Sequence, residues 1–273
     1  ALDSRAGLDA GFPPLRTVRK AAPDVKVNAL PENMAAVPAA SFRMKVEFQV
    51  RECGFYESRS DLLGSTKLHQ PVVFERDASL KPYAIDLTPV TNAQFARFLA
   101  SAKYAPRYKE NFLRHWIDGA PPRGKEDHPV VYVDLDDARA YARWAAKRLP
   151  TEEEWQYVAQ GPDALRYPWG NEMKEGACNA GEDTTGVTAF PDGRSPFGCY
   201  DMCGNTWEWT ESEHSDGRTR FCILRGGSHY IAKGSHWYAD GGPKPANFAA
   251  KFLLMWPGVD RCATIGFRCA ASL

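Results

Sequence analysis

Hydrophobic and polar residues alternate along residues 43–51, and this period of two predicts a β-strand. Met44, Val46 and Phe48 fall on one face of the segment, with charged or polar residues between them, as a half-buried strand requires. The period changes at Thr91, after which apolar residues recur at spacings of three and four. That spacing predicts a helix whose N-terminus is capped by the Thr91 hydroxyl.

Two more helices are predicted downstream. One covers residues 136–147 and has a stripe of apolar side chains expected to be buried, namely Ala138, Tyr141, Ala142, Trp144 and Ala145. The other begins at Thr151, because a threonine followed three residues later by Glu154 forms a capping box.

The chain divides into an arm and one domain. Residues 1–33 contain four prolines and little periodicity, which predicts an extended arm, and residues 34–273 are predicted to form a single domain. After Gly161, glycine, proline, asparagine, aspartate and tryptophan dominate, and only short strand-like runs such as 222–224 and 266–270 stand out. Irregular segments of this length inside a domain are usually functional or held by ions or disulfides.

Charge and composition exclude several functional classes. The 273 residues include 34 basic and 34 acidic side chains, so the net charge is zero and binding to nucleic acid is not expected. Hydrophobic residues make up 44% of the chain, enough for a core and too many for a disordered protein. The longest apolar stretches, such as 252–256, are far shorter than the roughly 18 residues a membrane span needs.

Cysteine content bears on the compartment. Seven cysteines are more than a cytosolic enzyme of this size usually carries, and the numbering opens on Ala1 rather than Met. Both features favour a periplasmic or secreted protein. Cys199 and Cys203 could pair if the turn between them brings their Cα atoms within about 7 Å, and buried free thiols are the alternative.

Four ordered motifs carry a family resemblance. They are Pro-Val-Thr-Asn-Ala-Gln-Phe at 89–95, His-Pro-Val at 128–130 leading into Lys-Arg-Leu-Pro-Thr-Glu-Glu-Glu-Trp at 147–155, Gly-Asn-Thr-Trp-Glu-Trp at 204–209, and Arg-Gly-Gly-Ser at 225–228 with Gly-Phe-Arg-Cys at 266–269. Together they resemble the formylglycine-generating-enzyme, or sulfatase-modifying-factor, superfamily over residues 34–271. The resemblance implies an α+β variant of the C-type-lectin fold, with little regular secondary structure and often with bound calcium.

Two segments are candidate calcium sites. Asn205 and Glu208 offer hard oxygen ligands three residues apart, with backbone carbonyls between them. Asn179, Glu182 and Asp183 form a second candidate set, in a region where similar family members bind calcium. A structural calcium ion is therefore expected, and the alternative is that these side chains only cap turns.

The resemblance does not extend to a redox metal. Copper-dependent members use two cysteines shortly after Arg-Gly-Gly-Ser, and those positions fall on Ile231 and His236 in this chain. Without that thiolate pair, copper-dependent formylglycine generation is not expected. The iron-dependent branch needs a helical-bundle domain that this chain is too short to contain, so neither a copper nor an iron site is predicted.

Candidate catalytic residues cluster after the Arg-Gly-Gly-Ser segment. His229 and His236 could act as acid and base near neutral pH, and Glu208 and Ser228 complete the candidate set. Ser228 corresponds to a serine of the family's cleft, but no base is placed beside it by sequence. The alternative for each histidine is an ordinary surface or turn position.

Aromatic residues in the same region are candidates for binding an aromatic or sugar-like ligand. They are Trp207, Tyr230, Trp237 and Tyr238, with Arg225 as a candidate carboxylate binder or a brace for the glycine turn. Tryptophans in loop-rich domains also form the core, and Trp155, Trp169 and Trp209 are assigned to that role.

The resemblance implies a function by elimination. A periplasmic branch of the superfamily lacks the copper cysteines and the iron domain, and it matures a siderophore by oxidising dihydropyoverdine to the pyoverdine chromophore. The expected partner is a small-molecule or peptide-derived siderophore precursor, together with periplasmic maturation proteins. The alternatives are a calcium-stabilised binding module, a catalytically silent paralogue, and an oxidase with relocated cysteines such as Cys222 and Cys262.

Overall fold

The computed structural model describes residues 18–49, 71–215, 220–231, 241–254, 258 and 260–273. Residues 1–17 of the predicted arm and the candidate site residues His236, Trp237 and Tyr238 lie outside the described residues.

Ten strands and three helices make up the regular structure of the described residues. The helices are α1 (Asn92–Ala102), α2 (Leu135–Trp144) and α3 (Glu152–Gln160). The strands are β1 (Val18–Arg19), β2 (Met34–Val37), β3 (Ala40–Gln49), β4 (Pro71–Leu80), β5 (Tyr83–Asp86), β6 (Trp207–Ser215), β7 (Arg220–Arg225), β8 (Ala249–Leu254), β9 (Ile265–Phe267) and β10 (Ala270–Ser272).

The strands form three sheets. The largest has the order β1-β6-β7-β8, and β9 pairs with β6 in parallel at Trp207–Trp209. A three-stranded sheet has the order β10-β5-β2, and β3 pairs with β4 as an antiparallel ribbon. The predicted run 266–270 therefore divides between two sheets, because β9 ends at Phe267 and β10 begins at Ala270.

The strand predicted from alternation is confirmed as β3. Met44 and Val46 are fully buried and Phe48 nearly so, whereas the side chain of Lys45 is mostly exposed. The buried face packs against Phe221 and other residues of β7 and β8. Residues 50–51 of the predicted strand lie outside the described residues.

The helix signals are also confirmed. Thr91 and Thr151 each cap a helix through a complete capping box, at the N-termini of α1 and α3. α2 begins at Leu135 behind an Asp134 cap and ends at Trp144, earlier than expected. No helix among the described residues is both long and apolar enough to cross a membrane.

The prediction that Trp144 is buried is wrong. Its side chain is 40% exposed, because Trp144 is the last residue of α2 and its ring lies at the edge of the aromatic cluster around Phe98 and Tyr141. The indole nitrogen donates a hydrogen bond to Ser101 at 3.2 Å.

Two tryptophans assigned to the core are fully buried. Trp209 packs with Phe95, Phe267 and other apolar residues of α1, α2 and the large sheet. Trp155 belongs to a second cluster between α3 and the three-stranded sheet. Trp169 is only partly buried, and its ring stacks on Tyr167 at a centroid distance of 5.6 Å.

The segment 161–206 has little regular structure, as expected, with one 3-10 turn at Pro191–Gly193. Strand β6 follows it directly and was not predicted. The alternation rule misses it because every residue from Trp207 to Glu213 is buried, polar residues included. Arg139 of α2 compensates the buried charge through ion pairs with Glu211 and Glu213.

Residues 18–33 lie along the large sheet and the C-terminus. Strand β1 pairs with the end of β6, and Arg19 forms an ion pair with Glu153 of α3. The amide of Val27 donates a hydrogen bond to the carbonyl of Ser272 at 3.0 Å. The predicted boundary between arm and domain at residue 34 stays a prediction.

Candidate functional site

A pair of opposite charges lies at one register position of the large sheet. Glu208 on β6 is opposite Arg225 on β7, and neither is exposed to solvent. Arg225 donates a hydrogen bond to Glu152 at 2.7 Å. Glu208 accepts from Arg268 and from the indole of Trp155. Because buried charges are stable only when paired and hydrogen-bonded, these contacts join the large sheet to α3.

The sequence motifs meet in these buried contacts. The segments 147–155, 204–209, 225–228 and 266–269 each contribute a residue to the same buried network. The structure thus gives Glu208 and Arg225 a bracing role. Contact of either residue with a substrate stays a prediction, since all the charge that they carry is already compensated inside the protein.

The turn before β6 has unusual backbone geometry. Asp201 and Asn205 have φ angles of 54° and 57°, in the left-handed region that aspartate and asparagine tolerate better than most residues. The Asn205 side chain accepts from Asn179 and from the amide of Thr185, both at 3.1 Å, and donates to Asp201 at 2.7 Å. Burial raises the pKa of Asp201 to about 7, although the hydrogen bond from Asn205 opposes that rise.

His229 is held by this turn. Its backbone amide donates to the carbonyl of Asn205 at 3.0 Å, and its Nδ1 lies 2.7 Å from the same oxygen. Since a carbonyl only accepts, Nδ1 carries the hydrogen, and the lone pair of the neutral ring is on Nε2. The side chain is 4% exposed, and Nε2 has no hydrogen-bond partner within the described part of the chain. The imidazole is therefore oriented to accept a proton at Nε2.

Asp183 lies within electrostatic range of this histidine. Burial raises the pKa of Asp183, but hydrogen bonds from Lys125 and from the Thr184 amide outweigh it. Electrostatic interaction with His229 adds to this effect, and the pKa of Asp183 is below its ordinary value. A carboxylate that stays ionised near the ring stabilises an imidazolium if His229 takes up a proton.

Two more histidines lie near Asp183. Burial lowers the pKa of His115 to about 4, and the charge of Lys125 adds to this effect. Burial also lowers the pKa of His128, whose Nδ1 lies 3.0 Å from Thr184 Oγ1. Sequence spacing gives no signal for this grouping, because Asp183 and His229 are distant along the chain from His115 and His128.

The segment after the glycine turn begins buried and then reaches the surface. Ser228 is 1% exposed, and its hydroxyl lies 3.4 Å from the carbonyl of Tyr230. Tyr230 and Ile231 are both about half exposed. The family resemblance predicts that Ile231 occupies one of the two positions where copper-dependent members have cysteine. The exposed ring of Tyr230 is thus available to a ligand, whereas the described structure places no base beside Ser228.

Trp207 is almost completely buried. It is 7% exposed, its ring centroid is 6.1 Å from that of Phe248, and its amide donates to the carbonyl of Thr264. This placement makes Trp207 part of the core that supports the site. Its predicted contact with substrate stays a prediction.

The predicted calcium ligands form one connected set and one separate residue. Asn179 donates to Asn205 and to the carbonyl of Asp183, so these three residues lie together. Their side-chain oxygens accept hydrogen bonds from protein groups, which an arriving cation would have to displace. Glu208 has no hydrogen bond to them, because its oxygens accept from Arg268 and Trp155. Within the described residues, no three His, Cys, Asp or Glu side chains are grouped so as to hold a metal ion.

Comparison with known families and sequences identifies relatives. The sulfatase-modifying factor enzyme 1-like domain matches residues 20–273. The inactive C-alpha-formylglycine-generating enzyme 2 of Bos taurus is 32% identical over 248 residues, covering 72% of this chain and 79% of that protein. The formylglycine-generating enzyme of Thermomonospora curvata is 37% identical over 187 residues, covering 49% of this chain and 61% of the enzyme.

A solved structure shares the fold. PvdO from Pseudomonas aeruginosa is 22% identical with a TM-score of 0.57, and the match covers 88% of this chain and 94% of PvdO. At this level of identity the likeness shows the fold alone. The predicted α+β variant of the C-type-lectin fold is confirmed by this match and by the low helix content of the chain.

Proposed function

Because the chain belongs to the sulfatase-modifying factor enzyme 1-like family, we propose that it is a copper-independent member that oxidises dihydropyoverdine to the pyoverdine chromophore in the periplasm. The observation that carries the proposal is the position of His229. It is the predicted catalytic residue whose ring is fixed by one acceptor, at Asn205, while the second ring nitrogen keeps its lone pair.

The chemistry needs a base and a pocket. Oxidation of the dihydro ring removes two electrons and two protons from the substrate. Dioxygen takes up the two electrons and the two protons and becomes hydrogen peroxide. His229 Nε2 accepts one of the protons, and the nearby Asp183 carboxylate stabilises the resulting imidazolium. Tyr230 offers an exposed ring on which the substrate can stack.

Calcium has a structural role in this proposal. Asn179, Asp183 and Asn205 lie together, and Asp201 adds a buried carboxyl group in contact with Asn205. An ion bound there would displace the hydrogen bonds that these side-chain oxygens now accept. A divalent cation there would compensate the charge of the two aspartates and hold the turn that orients His229. Glu208 does not fit this set as it stands, because Arg268 and Trp155 already occupy its oxygens.

A second candidate function is a catalytically silent binding module. The observation that favours it is the 32% identity to the bovine relative that is named inactive, which covers more of this chain than the match to the bacterial enzyme does. In that case Tyr230 and its neighbours would bind an aromatic ligand without turning it over.

The test is turnover of dihydropyoverdine in air, followed by absorbance and fluorescence against a control without protein. We expect the wild type to accelerate the oxidation and His229→Ala to lower the rate by about 100-fold, as for loss of a general base. His214→Gln is the matched control, because His214 lies at the far end of β6 and stacks on Phe221.

No acceleration by the wild type would overturn the oxidase proposal. Saturable binding of dihydropyoverdine without turnover would then support the binding module. Conversion of a sulfatase cysteine peptide by the copper-loaded protein would contradict both proposals.

A further inference from the structure

A cavity of about 260 Å³ opens beside the first residue of β7. Its lining includes the side chains of Tyr104, Tyr108 and Leu254. Four aspartates also line it, namely Asp134, Asp136, Asp137 and Asp260. A cavity of about 150 Å³ is large enough to hold benzene, so this one has room for a small organic molecule.

The cavity lies at the opposite end of β7 from the candidate site. Arg220, which lines the cavity, begins the strand, and Arg225 ends it. At about 3.3 Å per residue, these two positions are about 16 Å apart. The glycine turn and His229 follow Arg225 along the chain, so a molecule in the cavity is not in the position expected for the substrate.

Two of the four aspartates are compensated inside the protein. Arg261 Nη2 lies 2.7 Å from an oxygen of Asp134, and Arg261 Nε donates to Asp137 at 2.8 Å. The hydroxyl of Tyr104 also donates to Asp137 at 2.8 Å. Each of the two carboxylates accepts the backbone amide of the other residue as well. Neither Asp134 nor Asp137 therefore lacks a hydrogen-bond donor.

Asp260 has no such compensation. It is 8% exposed and lines the cavity, and no hydrogen bond or ion pair reaches its carboxylate from the described part of the chain. Burial raises the pKa of Asp260 to about 6, although the charges of Arg261 and Arg220 oppose that rise. A buried carboxylate without a partner is unfavourable, so the cavity favours a positive group beside Asp260.

The arginines that line the cavity are engaged elsewhere. Arg261 pairs with the two aspartates of α2 and its cap, and it donates to two backbone carbonyls. Arg220 pairs with Glu213 at 2.7 Å. Arg107 is exposed and lies over the ring of Tyr108, 5.2 Å from the ring centroid. The positive group that Asp260 requires is therefore expected to come from a ligand.

The backbone on both sides of Asp260 is anchored. Gly258 has a φ angle of 92°, and a Cβ atom there would lie 2.6 Å from that of Glu110. The chain can approach this closely only because position 258 has no side chain. Beyond Asp260, the carbonyl of Cys262 accepts a hydrogen bond from the amide of Tyr132 at 2.9 Å. The position of the Asp260 carboxylate is thus fixed before a ligand arrives, which lowers the cost of binding.

We propose that this cavity binds a small molecule with a primary alkylammonium group, which donates hydrogen bonds to the Asp260 carboxylate. The alkyl part lies against Tyr104, Tyr108 and Leu254, and tyrosine rings also attract a cation. A metal ion fits the cavity less well, because within the described ranges no three His, Cys, Asp or Glu side chains are grouped so as to hold one. The proposal does not depend on the oxidase activity.

The first test is titration calorimetry of the full-length protein with n-butylammonium. We expect saturable binding with a dissociation constant below about 1 mM. The probes n-butanol and butyrate have the same chain length without the positive charge, and they should bind at least about ten-fold more weakly. Absence of saturation with n-butylammonium, or equal binding of n-butanol, would overturn the proposal.

A further probe separates a free amine from a lysine side chain. Acetyl-lysine amide, with the acetyl group on the α-nitrogen, carries the same alkylammonium group on a peptide unit. We expect it to bind more weakly than n-butylammonium, because the exposed Arg107 and Arg220 at the cavity disfavour a basic peptide. Tighter binding of the lysine derivative would overturn the assignment to a small amine.

Variants locate the bound amine. Asp260→Asn keeps the side-chain shape and removes the charge, and it should weaken n-butylammonium binding by about 30-fold. Asp77→Asn changes the net charge equally at a side chain that is 88% exposed on β4, and it should have no effect. If Asp260→Asn does not fold, Tyr108→Ala removes a partly exposed ring from the same cavity and should weaken binding by about three-fold. Wild-type affinity in the folded variant would contradict the proposal.

Discussion

Glu208 and Arg268 form a bidentate ion pair that has no contact with solvent. Arg268 Nη2 lies 2.7 Å from one carboxylate oxygen of Glu208, and Nε lies 2.7 Å from the other. The two residues are 60 positions apart and come from separate motifs. Desolvation opposes the charge on Arg268, but Glu208 reverses this effect and raises the pKa of Arg268 above its ordinary value. The guanidinium of Arg268 therefore stays charged inside the protein.

Removing one partner of this pair should be strongly destabilising. Arg268→Met leaves a buried carboxylate without its counter-charge, which costs about 3–5 kcal/mol of unfolding free energy. Urea denaturation of wild type and variant measures the difference. The double variant Arg268→Met with Glu208→Gln should recover part of the loss, because no unpaired charge is left.

Arg43→Met is the control for that experiment. Arg43 also forms ion pairs, with Glu75 and Asp77, but on the exposed face of the β3–β4 ribbon. Its replacement should leave stability nearly unchanged, since exposed pairs contribute little. If Arg43→Met and Arg268→Met lowered the free energy of unfolding by similar amounts, burial would not be the reason for the cost of losing an ion pair.

The cap of α3 should contribute measurably to stability. Thr151 Oγ1 accepts from the amide of Glu154 at 3.3 Å, and the Glu154 carboxylate accepts from the amide of Thr151 at 2.8 Å. Thr151→Ala leaves one amide of the first turn without its acceptor and should cost about 1 kcal/mol in denaturant unfolding. Thr151→Ser keeps the hydroxyl and should behave like wild type. A loss of equal size in both variants would mean that the methyl group, and not the cap, is responsible.

Acid should weaken the protein through Glu213. Burial alone would raise its pKa, but hydrogen bonds from Arg220 and Arg139 prevail and lower it to about 2. Because the pKa is lower in the folded state, the stabilisation is complete above about pH 4.5, the unfolded value, and is lost as the pH falls towards 2. Glu213→Gln should lower the free energy of unfolding by about 2–3 kcal/mol at neutral pH. It should also make the free energy of unfolding depend less on pH in this acidic range. Stability measured by urea unfolding from pH 2 to 7 checks this, and an equally steep acid limb in the variant would argue against it.

Calcium should stabilise the turn that orients His229. At about 100 times its dissociation constant, a single bound ion adds about 2.7 kcal/mol, which raises the melting temperature. Chelation should reverse the effect, and metal analysis by mass spectrometry should find one calcium per chain. Asp183→Asn should weaken the response, while Asp192→Asn, whose carboxylate is exposed and pairs with Lys174, should not. An unchanged melting temperature with and without calcium would contradict the proposed ion.

Local signals made part of the fold predictable from the sequence. The capping boxes at Thr91 and Thr151 involve residues three apart, so both helix starts can be read from a short window. The alternation in β3 is equally local, because one face of that ribbon meets the core and the other meets water. Strand β6 has neither property: it buries Glu211 and Glu213, whose charges are compensated by a distant arginine.

The candidate site also combines features that a short stretch of sequence predicts with contacts between distant segments. The position of His229 followed from its place after the Arg-Gly-Gly-Ser motif, but the carbonyl that orients it belongs to Asn205 on another segment. The proximity of His115 and His128 to Asp183 depends on how separate loops meet. Residue spacing cannot report such contacts. The burial of Glu208 and Arg225 likewise appears only when strand and helix are placed together.

The pairing of β9 with β6 has a consequence for synthesis on the ribosome. Strand β6 cannot gain its parallel neighbour until Ile265–Phe267 has been made, and Glu208 cannot gain its counter-charge until Arg268 follows. Every shorter nascent chain therefore leaves a strand edge open and a carboxylate unpaired in the interior. Folding is expected to wait for the last residues of the domain, and a chain that stops before residue 265 should remain dependent on chaperones or aggregate.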